Sequence, residues 1–175
     1  MKGVVFRQFL DFAEQEFGEV IVDELLNSVE LESGGVYTSV GYYDHSEMID
    51  LVGALSAKTD VSARELLVKF GQSLFPSLIA GHPQDNVHHA FDLIERIHGV
   101  IHRDVRKLYP DAEVPEILPQ SRDGDREMKI SYASARPMAD LCEGMILAAL
   151  AHYGNLADFE IVRTDSKHRY LYNAD

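Results

Sequence analysis

Residues 86–108 read NVHHAFDLIERIHGVIHRDVRKL and form the most regular segment of the chain. Their apolar side chains recur at alternating spacings of four and three residues, which is typical of one face of an α-helix. The stripe consists of Val87, Phe91, Ile94, Ile101, Val105 and Leu108, and His98 fills its one remaining place. The pattern predicts one helix over residues 86–108, which Tyr109 and Pro110 end.

Four further helices are predicted before this segment. The first ends near Gly18, the second covers residues 20–29, and a third apolar stripe follows a glycine-containing loop. Ser62 and Glu65 have the spacing of a capping box, in which each residue satisfies a free backbone N–H at the start of a helix. The fourth helix therefore begins there, and we expect the proline at position 76 to stop it.

Alternating patterns predominate after residue 108. A connector with three prolines (Pro110, Pro115 and Pro119) and the polar turn SRDGDRE lead into MKISYAS, residues 128–134, which alternates as a strand. A helix with Pro137 in its first turn and two more strands, in FEIVRT and RYLYN, complete the pattern. We predict an α+β fold in a single domain, with a helical N-terminal subdomain (about 1–60) and an α+β part (about 61–175) that contains an antiparallel sheet and a helix.

Charge and composition exclude several classes of protein. The chain has 175 residues, of which 46% are hydrophobic, so it is long enough to bury a core or a ligand. Its net charge of −13 repels phosphate backbones and anionic lipids, so we expect no nucleic-acid or membrane partner. The single cysteine, Cys142, excludes an internal disulfide and a CxxC zinc site, which favours a reducing cytoplasm. The first residues do not resemble a signal peptide, because charged side chains interrupt any apolar run.

Two histidines of the 86–108 segment could take part in chemistry. His98 and His102 are four residues apart, so in an α-helix their side chains share one face and could bind a metal. A zinc site would need a third ligand, which no recognisable motif supplies. A histidine beside an apolar stripe is more often part of a core, so the spacing leaves both interpretations open.

A second group of polar residues lies in YASAR, residues 132–136. If the strand continues through this segment, Tyr132, Ser134 and Arg136 point to the same side. A phenol, a hydroxyl and a guanidinium that converge would suit a carboxylate or a phosphate. The alternative is a solvated strand face.

These residues together resemble a known family. The opening MKG, the segment IHRDVRKLYP, Pro115, the YxSxR pattern and the downstream LCEGM are similar to the H-NOX domain, the haem nitric oxide/oxygen-binding domain related to the haem domain of soluble guanylate cyclase. The resemblance covers essentially the whole chain. It implies a haem b (protoporphyrin IX iron) held between the helical part and the sheet.

The resemblance also implies a role for individual residues. In this family a helix histidine binds the haem iron, and its distance from the helix end selects His102, with His98 as the alternative. Tyr132, Ser134 and Arg136 match the clamp for the haem propionates, and Asp44 matches a partner of the arginine. Pro115 matches a proline that presses on the porphyrin.

The residues on the other side of the haem determine which gas is bound. Oxygen-binding members of the family place a tyrosine five residues after the arginine, where this chain has Leu141. The other residues expected there are also apolar, namely Val5, Phe9 and Met145. A pocket without a hydrogen-bond donor predicts binding of nitric oxide and carbon monoxide and exclusion of dioxygen.

The resemblance implies a sensor, not an enzyme. Nitric oxide would weaken the bond between iron and His102, and the resulting conformational change would pass to a separate histidine kinase or cyclic-di-GMP enzyme. Two other functions are compatible with the residues alone. One is a metal-dependent hydrolase that uses His98 and His102, and the other is a haem-free domain that binds a different carboxylate through YASAR.

Overall fold

The structure is a computed structural model that describes residues 1–80, 85–108, 113–154, 160–166 and 169–174. It describes their side chains as well, except at 98, 104, 108, 163–166 and 169–174. The helices and strands in chain order are α1 (Gly3–Phe17), α2 (Glu19–Ser28), α3 (His45–Thr59), α4 (Ala63–Ile79), α5 (Ala90–Arg96), a π turn (Ile97–Ile101), α6 (His102–Leu108), β1 (Glu116–Asp123), β2 (Glu127–Ala133), α7 (Ala139–His152), β3 (Ile161–Ser166) and β4 (Arg169–Ala174). The predicted α+β class is confirmed.

The first four helices begin and end where local sequence favours it. Gly18 adopts a φ of 90° between α1 and α2, a conformation that costs glycine little. The Asp44 side chain caps α3 by accepting a hydrogen bond from the Ser46 N–H at 2.7 Å. Ser62 caps α4 by accepting from the Glu65 N–H at 3.2 Å, which confirms the predicted start of this helix.

The prediction that Pro76 stops α4 is wrong. The helix continues to Ile79, and the Ala80 N–H donates to the Pro76 carbonyl at 3.1 Å. Proline lacks an N–H, so the helix loses the bond to the carbonyl of Gln72, but the fixed φ of proline is itself helical. A proline in the last turn therefore removes one hydrogen bond without ending the helix.

The sequence pattern predicts one continuous helix over residues 86–108, and this prediction is wrong. Helix α5 begins at Ala90 because His89 caps it, with its Nδ1 accepting from the Phe91 N–H at 3.1 Å. The carboxylate of Asp92 accepts from the backbone of His88 and of His89 and completes the cap. The π turn then separates α5 from α6, which ends at Leu108.

The four strands form an antiparallel sheet in the order β1-β2-β4-β3. The interpretation of Pro119 and of the residues up to Asp123 as connector and turn is wrong, because they form β1. Strand β1 lies at the edge of the sheet, where a residue without an N–H is tolerated. A register shift between Pro119 and Ser121 accommodates it. The turn itself contains only residues 124–126.

Helix α7 starts later than Pro137 predicts. Met138 has a non-helical backbone and lies between the proline and the first helical residue, Ala139. Pro137 therefore precedes the helix instead of forming part of its first turn.

Two groups of buried side chains make up the core. The N-terminal cluster joins α1–α4 to the start of α7 and includes Phe6, Phe9, Phe12, Leu25, Met48, Leu51, Leu66, Phe70, Met138 and Leu141. The C-terminal cluster joins α5, the end of α4, the sheet and the rest of α7, and includes Phe75, Phe91, Ile94, Ile117, Ile130, Tyr132, Cys142, Ile146 and Leu150. Met145 packs against both clusters. Helices α4 and α7 therefore connect the two halves of the molecule.

A buried carboxylate fixes the loop between α2 and α3. Glu47 is 5% exposed and accepts hydrogen bonds from the Ser33 N–H at 3.0 Å and the Tyr37 hydroxyl at 2.7 Å. The Tyr37 ring stacks on Phe6 with centroids 4.4 Å apart. This network attaches the loop to both α3 and α1.

Among the described residues, no helix has the length and the apolar character that crossing a membrane would require.

Candidate functional site

His102 lies at the junction between the π turn and α6. Its N–H donates to the carbonyl of Ile97, five residues earlier. Its side chain is half-buried and its Nδ1 is fully buried, while Ile97 and Ile101 pack against the C-terminal cluster. An imidazole on the border of an apolar cluster can serve as a metal ligand, because a neutral ring nitrogen is a strong donor to iron. The side chain of His98 is outside the described residues, so the choice between the two histidines stays a prediction.

The three residues of the YxSxR pattern do not lie on one continuous strand. Strand β2 ends at Ala133, so the expected alternation holds for Tyr132 but not for Ser134 and Arg136. Tyr132 is 3% exposed and belongs to the C-terminal cluster. The Ser134 hydroxyl accepts from the Arg136 N–H at 3.1 Å, a local turn contact that draws the chain away from the strand.

The Arg136 guanidinium binds a residue that the sequence did not indicate. It donates through Nη1 to the Glu113 carbonyl at 3.0 Å and through Nη2 to the Glu113 carboxylate at 2.7 Å. Its Nε is buried and has no hydrogen-bond partner among the described residues. The expected pairing with Asp44 is not formed in this structure, where the Asp44 carboxylate caps α3 and the guanidinium binds Glu113. An acidic residue 23 positions away gives no local signal of such a contact.

The four apolar residues expected around the gas share one region. Phe9 and Leu141 are buried in the N-terminal cluster, and Val5 and Met145 pack against it. Phe9 contacts Phe70 edge to face, with ring centroids 5.2 Å apart. Pro115 is half-buried directly before β1.

Two glycines set the position of Leu141. A Cβ added to Gly71 in α4 would lie 2.3 Å from the Leu141 carbonyl oxygen, and one added to Gly144 in α7 would lie 2.0 Å from that of Val68. Helices α4 and α7 therefore touch backbone to backbone. This contact fixes the distance between α7 and α4, and with it the position of Leu141 in the core. The sequence pattern did not indicate this contact.

A charged cluster attaches α5 to the β1–β2 hairpin. Arg122 contacts Asp92 at 2.8 Å, Glu95 at 3.1 Å and Asp125 at 2.6 Å. Burial raises the pKa of Asp92, but hydrogen bonds from Arg122 and from the backbone of His88 outweigh it and hold that pKa below its usual range. The carboxylate thus stays ionised while it caps the helix that leads to His102.

Comparison with known proteins gives a consistent result. Residues 2–161 match the model of the family described as haem-NO-binding. The chain belongs to the haem-NO-binding, or H-NOX, family. This family consists of haem-based gas-sensing domains that are not themselves catalytic and that bind gases such as nitric oxide and carbon monoxide.

Several solved H-NOX structures are similar over nearly their whole length. An Fe(II) unliganded H-NOX protein from K. algicida is 33% identical with a TM-score of 0.91, covering 100% of this chain and 96% of that one. The H-NOX protein from Shewanella woodyi, in its IWP-051-bound Fe(II)CO state, is 40% identical with a TM-score of 0.82, covering 99% and 93%. An S. oneidensis H-NOX protein in the Fe(II)NO state is 25% identical with a TM-score of 0.84, covering 100% and 98%. No curated protein matches the chain.

The described residues of this H-NOX chain fit a haem. The guanidinium Nε of Arg136 is buried with no hydrogen-bond partner among the described residues, and the imidazole Nδ1 of His102 is buried next to Ile97 and Ile101 of the π turn, which pack against the C-terminal cluster. A flat apolar ring with two carboxylates needs this combination. No three histidine, cysteine, aspartate or glutamate side chains of the described residues are grouped to hold a metal ion, so the third ligand of a hydrolase site is not found there.

Proposed function

We propose that this H-NOX chain binds haem b through His102 and senses nitric oxide and carbon monoxide while excluding dioxygen. The observation that carries the proposal is the apolar character of Val5, Phe9, Leu141 and Met145, which meet at the N-terminal cluster and offer no hydrogen-bond donor. Bound dioxygen needs a donor to its partial negative charge, whereas nitric oxide binds ferrous iron tightly without one. The Fe(II)NO and Fe(II)CO states of the similar proteins support the binding of nitric oxide and carbon monoxide.

When bound, the haem would supply a ferrous iron that takes up a diatomic gas. The imidazole of His102 would hold the iron from the C-terminal side. Leu141 and its apolar neighbours would exclude water and leave a gas without a polar contact.

The YxSxR residues would hold the carboxylates of the haem. Arg136 already donates to a carboxylate, that of Glu113, at 2.7 Å, and this contact supports a role in binding a propionate. The buried Nε of Arg136 gives a second donor to a propionate. Tyr132 and Ser134 would add hydroxyl donors, and Pro115 would pack against the edge of the ring.

Signalling would begin when gas binding weakens the hold on His102. Helix α5, which leads to the segment around His102, is attached to the sheet through Arg122, and the π turn before His102 packs against the core through Ile97 and Ile101. Release of the imidazole would allow this segment to move relative to the helical part, about residues 1–60 in the predicted division of the chain. The surface so changed would regulate a separate histidine kinase or cyclic-di-GMP enzyme in the cytoplasm.

Absorption spectra of the purified protein test the proposal. Protein from haem-supplied cells should have an intense Soret band that shifts when nitric oxide or carbon monoxide is added to the ferrous form but not when dioxygen is added. His102→Gly should lose histidine ligation and recover a similar spectrum with free imidazole. His98→Gly is the matched control and should behave like the wild type.

Three results would contradict the proposal. A stable Fe(II)–dioxygen spectrum would refute the selectivity. Imidazole rescue of His98→Gly instead of His102→Gly would move the ligand. A colourless protein with stoichiometric zinc would favour the hydrolase.

A further inference from the structure

The π turn gives the helix one residue more than an α-helix of the same rise. In an α-helix the N–H of residue 102 would donate to the carbonyl of residue 98. Here it donates to the carbonyl of Ile97. Single π turns are rare and occur frequently at functional sites.

The extra residue changes the face on which His102 lies. Each residue of an α-helix turns the chain by about 100°. Continuing α5 as an α-helix would place Ile101 above Ile97 and would turn His102 away by that angle. The π turn instead brings His102 towards the side of Ile97, while Ile101 also stays packed against the C-terminal cluster, and the imidazole Nδ1 is buried.

Gly99 and Val100, in the middle of the turn, lie on the solvent side of the helix. A Cβ added to Gly99 would meet no atom within 4 Å, and Val100 is exposed. The residues at the two ends of the turn, Ile97 and Ile101, pack against the C-terminal cluster. The extra residue thus bulges towards solvent, and its visible effect on the core side is the orientation of His102.

We propose that the π turn Ile97–Ile101 is the positioning element that directs the His102 imidazole towards the haem iron, with its surplus residue at Gly99–Val100. The inference rests on the proposed function, because it takes His102 as the ligand. It adds that orientation depends on the number of residues in the turn and not on the identity of Val100.

A deletion and an insertion give opposite expectations. Deletion of Val100 should leave a regular α-helix in which the His102 N–H still reaches the Ile97 carbonyl, now four residues earlier. The ferrous histidine-ligated Soret spectrum and the haem content should therefore stay as in the wild type. Insertion of one alanine after Val100 should turn His102 away by about 100° and abolish ligation.

An uninterrupted α-helix predicts loss of ligation in both variants, because either change would turn His102. Loss of the histidine-ligated spectrum on deletion of Val100, and likewise on deletion of Gly99, would overturn the inference. If His102→Gly also loses histidine ligation in the same experiment, His102 is still the ligand and only the role of the turn is wrong. Retention of histidine ligation in His102→Gly would instead refute the proposed function.

A measurement on the wild type does not depend on the folding of any variant. In the diamagnetic Fe(II)–carbon monoxide form, NMR coupling across the hydrogen bond should connect the His102 amide nitrogen to the Ile97 carbonyl carbon. Coupling to the carbonyl of His98 would show an ordinary α-helix and overturn the inference.

Discussion

Replacing Gly144 by alanine should separate the two helices that connect the halves of the molecule. The added Cβ would lie 2.0 Å from the Val68 carbonyl oxygen, whereas an ordinary contact is 3.4 Å or longer. Helices α4 and α7 must then part by about 1.4 Å, and the atoms in conflict belong to backbone that cannot rotate away. Overpacking of this kind costs about 1–3 kcal/mol, and the better helix propensity of alanine returns up to about 1 kcal/mol.

We therefore expect Gly144→Ala to lower the free energy of unfolding by about 2 kcal/mol and Tm by about 4–8 °C. Gly53→Ala is the matched control, since Gly53 lies in α3 and its added Cβ would meet no atom within 4 Å. That variant should be unchanged or more stable by up to about 1 kcal/mol. Urea and thermal unfolding of the haem-loaded proteins measure both. Equal stability of the two variants would refute the close contact between the helices.

Three further variants test other parts of the structure. Leu141→Tyr should supply a donor near the gas and raise dioxygen affinity at least ten-fold in a spectrophotometric titration; an unchanged affinity would show that the tyrosine does not reach the gas. Burial raises the pKa of Glu47, but hydrogen bonds from Ser33 and Tyr37 outweigh it, so that pKa lies below its ordinary 4.5. The carboxylate therefore stabilises the fold above that pH and loses this effect as the pH falls through the lowered pKa, so Glu47→Gln should flatten the loss of stability below about pH 5 in denaturant titrations; parallel curves would contradict it. Glu113→Gln should weaken the one carboxylate contact of Arg136 among the described residues. Because the guanidinium is then more readily available to a propionate, the apoprotein should take up haem faster in stopped-flow mixing. Slower uptake would mean that Glu113 contributes to haem binding.

Sequence patterns predict the helices well where the end signals are local. Ser62 and Glu65 show the start of α4 because the cap involves residues only three apart. The assignment of Pro119 to a connector was wrong because the sequence does not reveal that β1 lies at the edge of the sheet, where a residue without an N–H is tolerated. The π turn was hidden for a related reason: a repeat of four and three residues assumes the α-helical period throughout.

The residues of the candidate site could be predicted from the sequence, but several of their contacts could not. The resemblance predicted that Leu141 and Phe9 lie in one pocket, and both belong to the N-terminal cluster. The resemblance also predicted a carboxylate-binding role for Arg136. Its contact with Glu113 could not be predicted, because it joins positions 23 residues apart and depends on tertiary structure. The backbone contact at Gly71 and Gly144 is equally non-local, because either glycine alone is compatible with an ordinary helix.

The place of β4 in the sheet has a consequence for synthesis on the ribosome. Strand β4 lies between β2 and β3, although it follows both in the chain. Until Arg169–Ala174 has emerged from the exit tunnel, the edge of β2 that faces away from β1 is unpaired and β3 has no partner strand. Nascent chains stalled before Arg169 should therefore be readily cleaved by proteases in this half, whereas the packed helices of the first half can already resist.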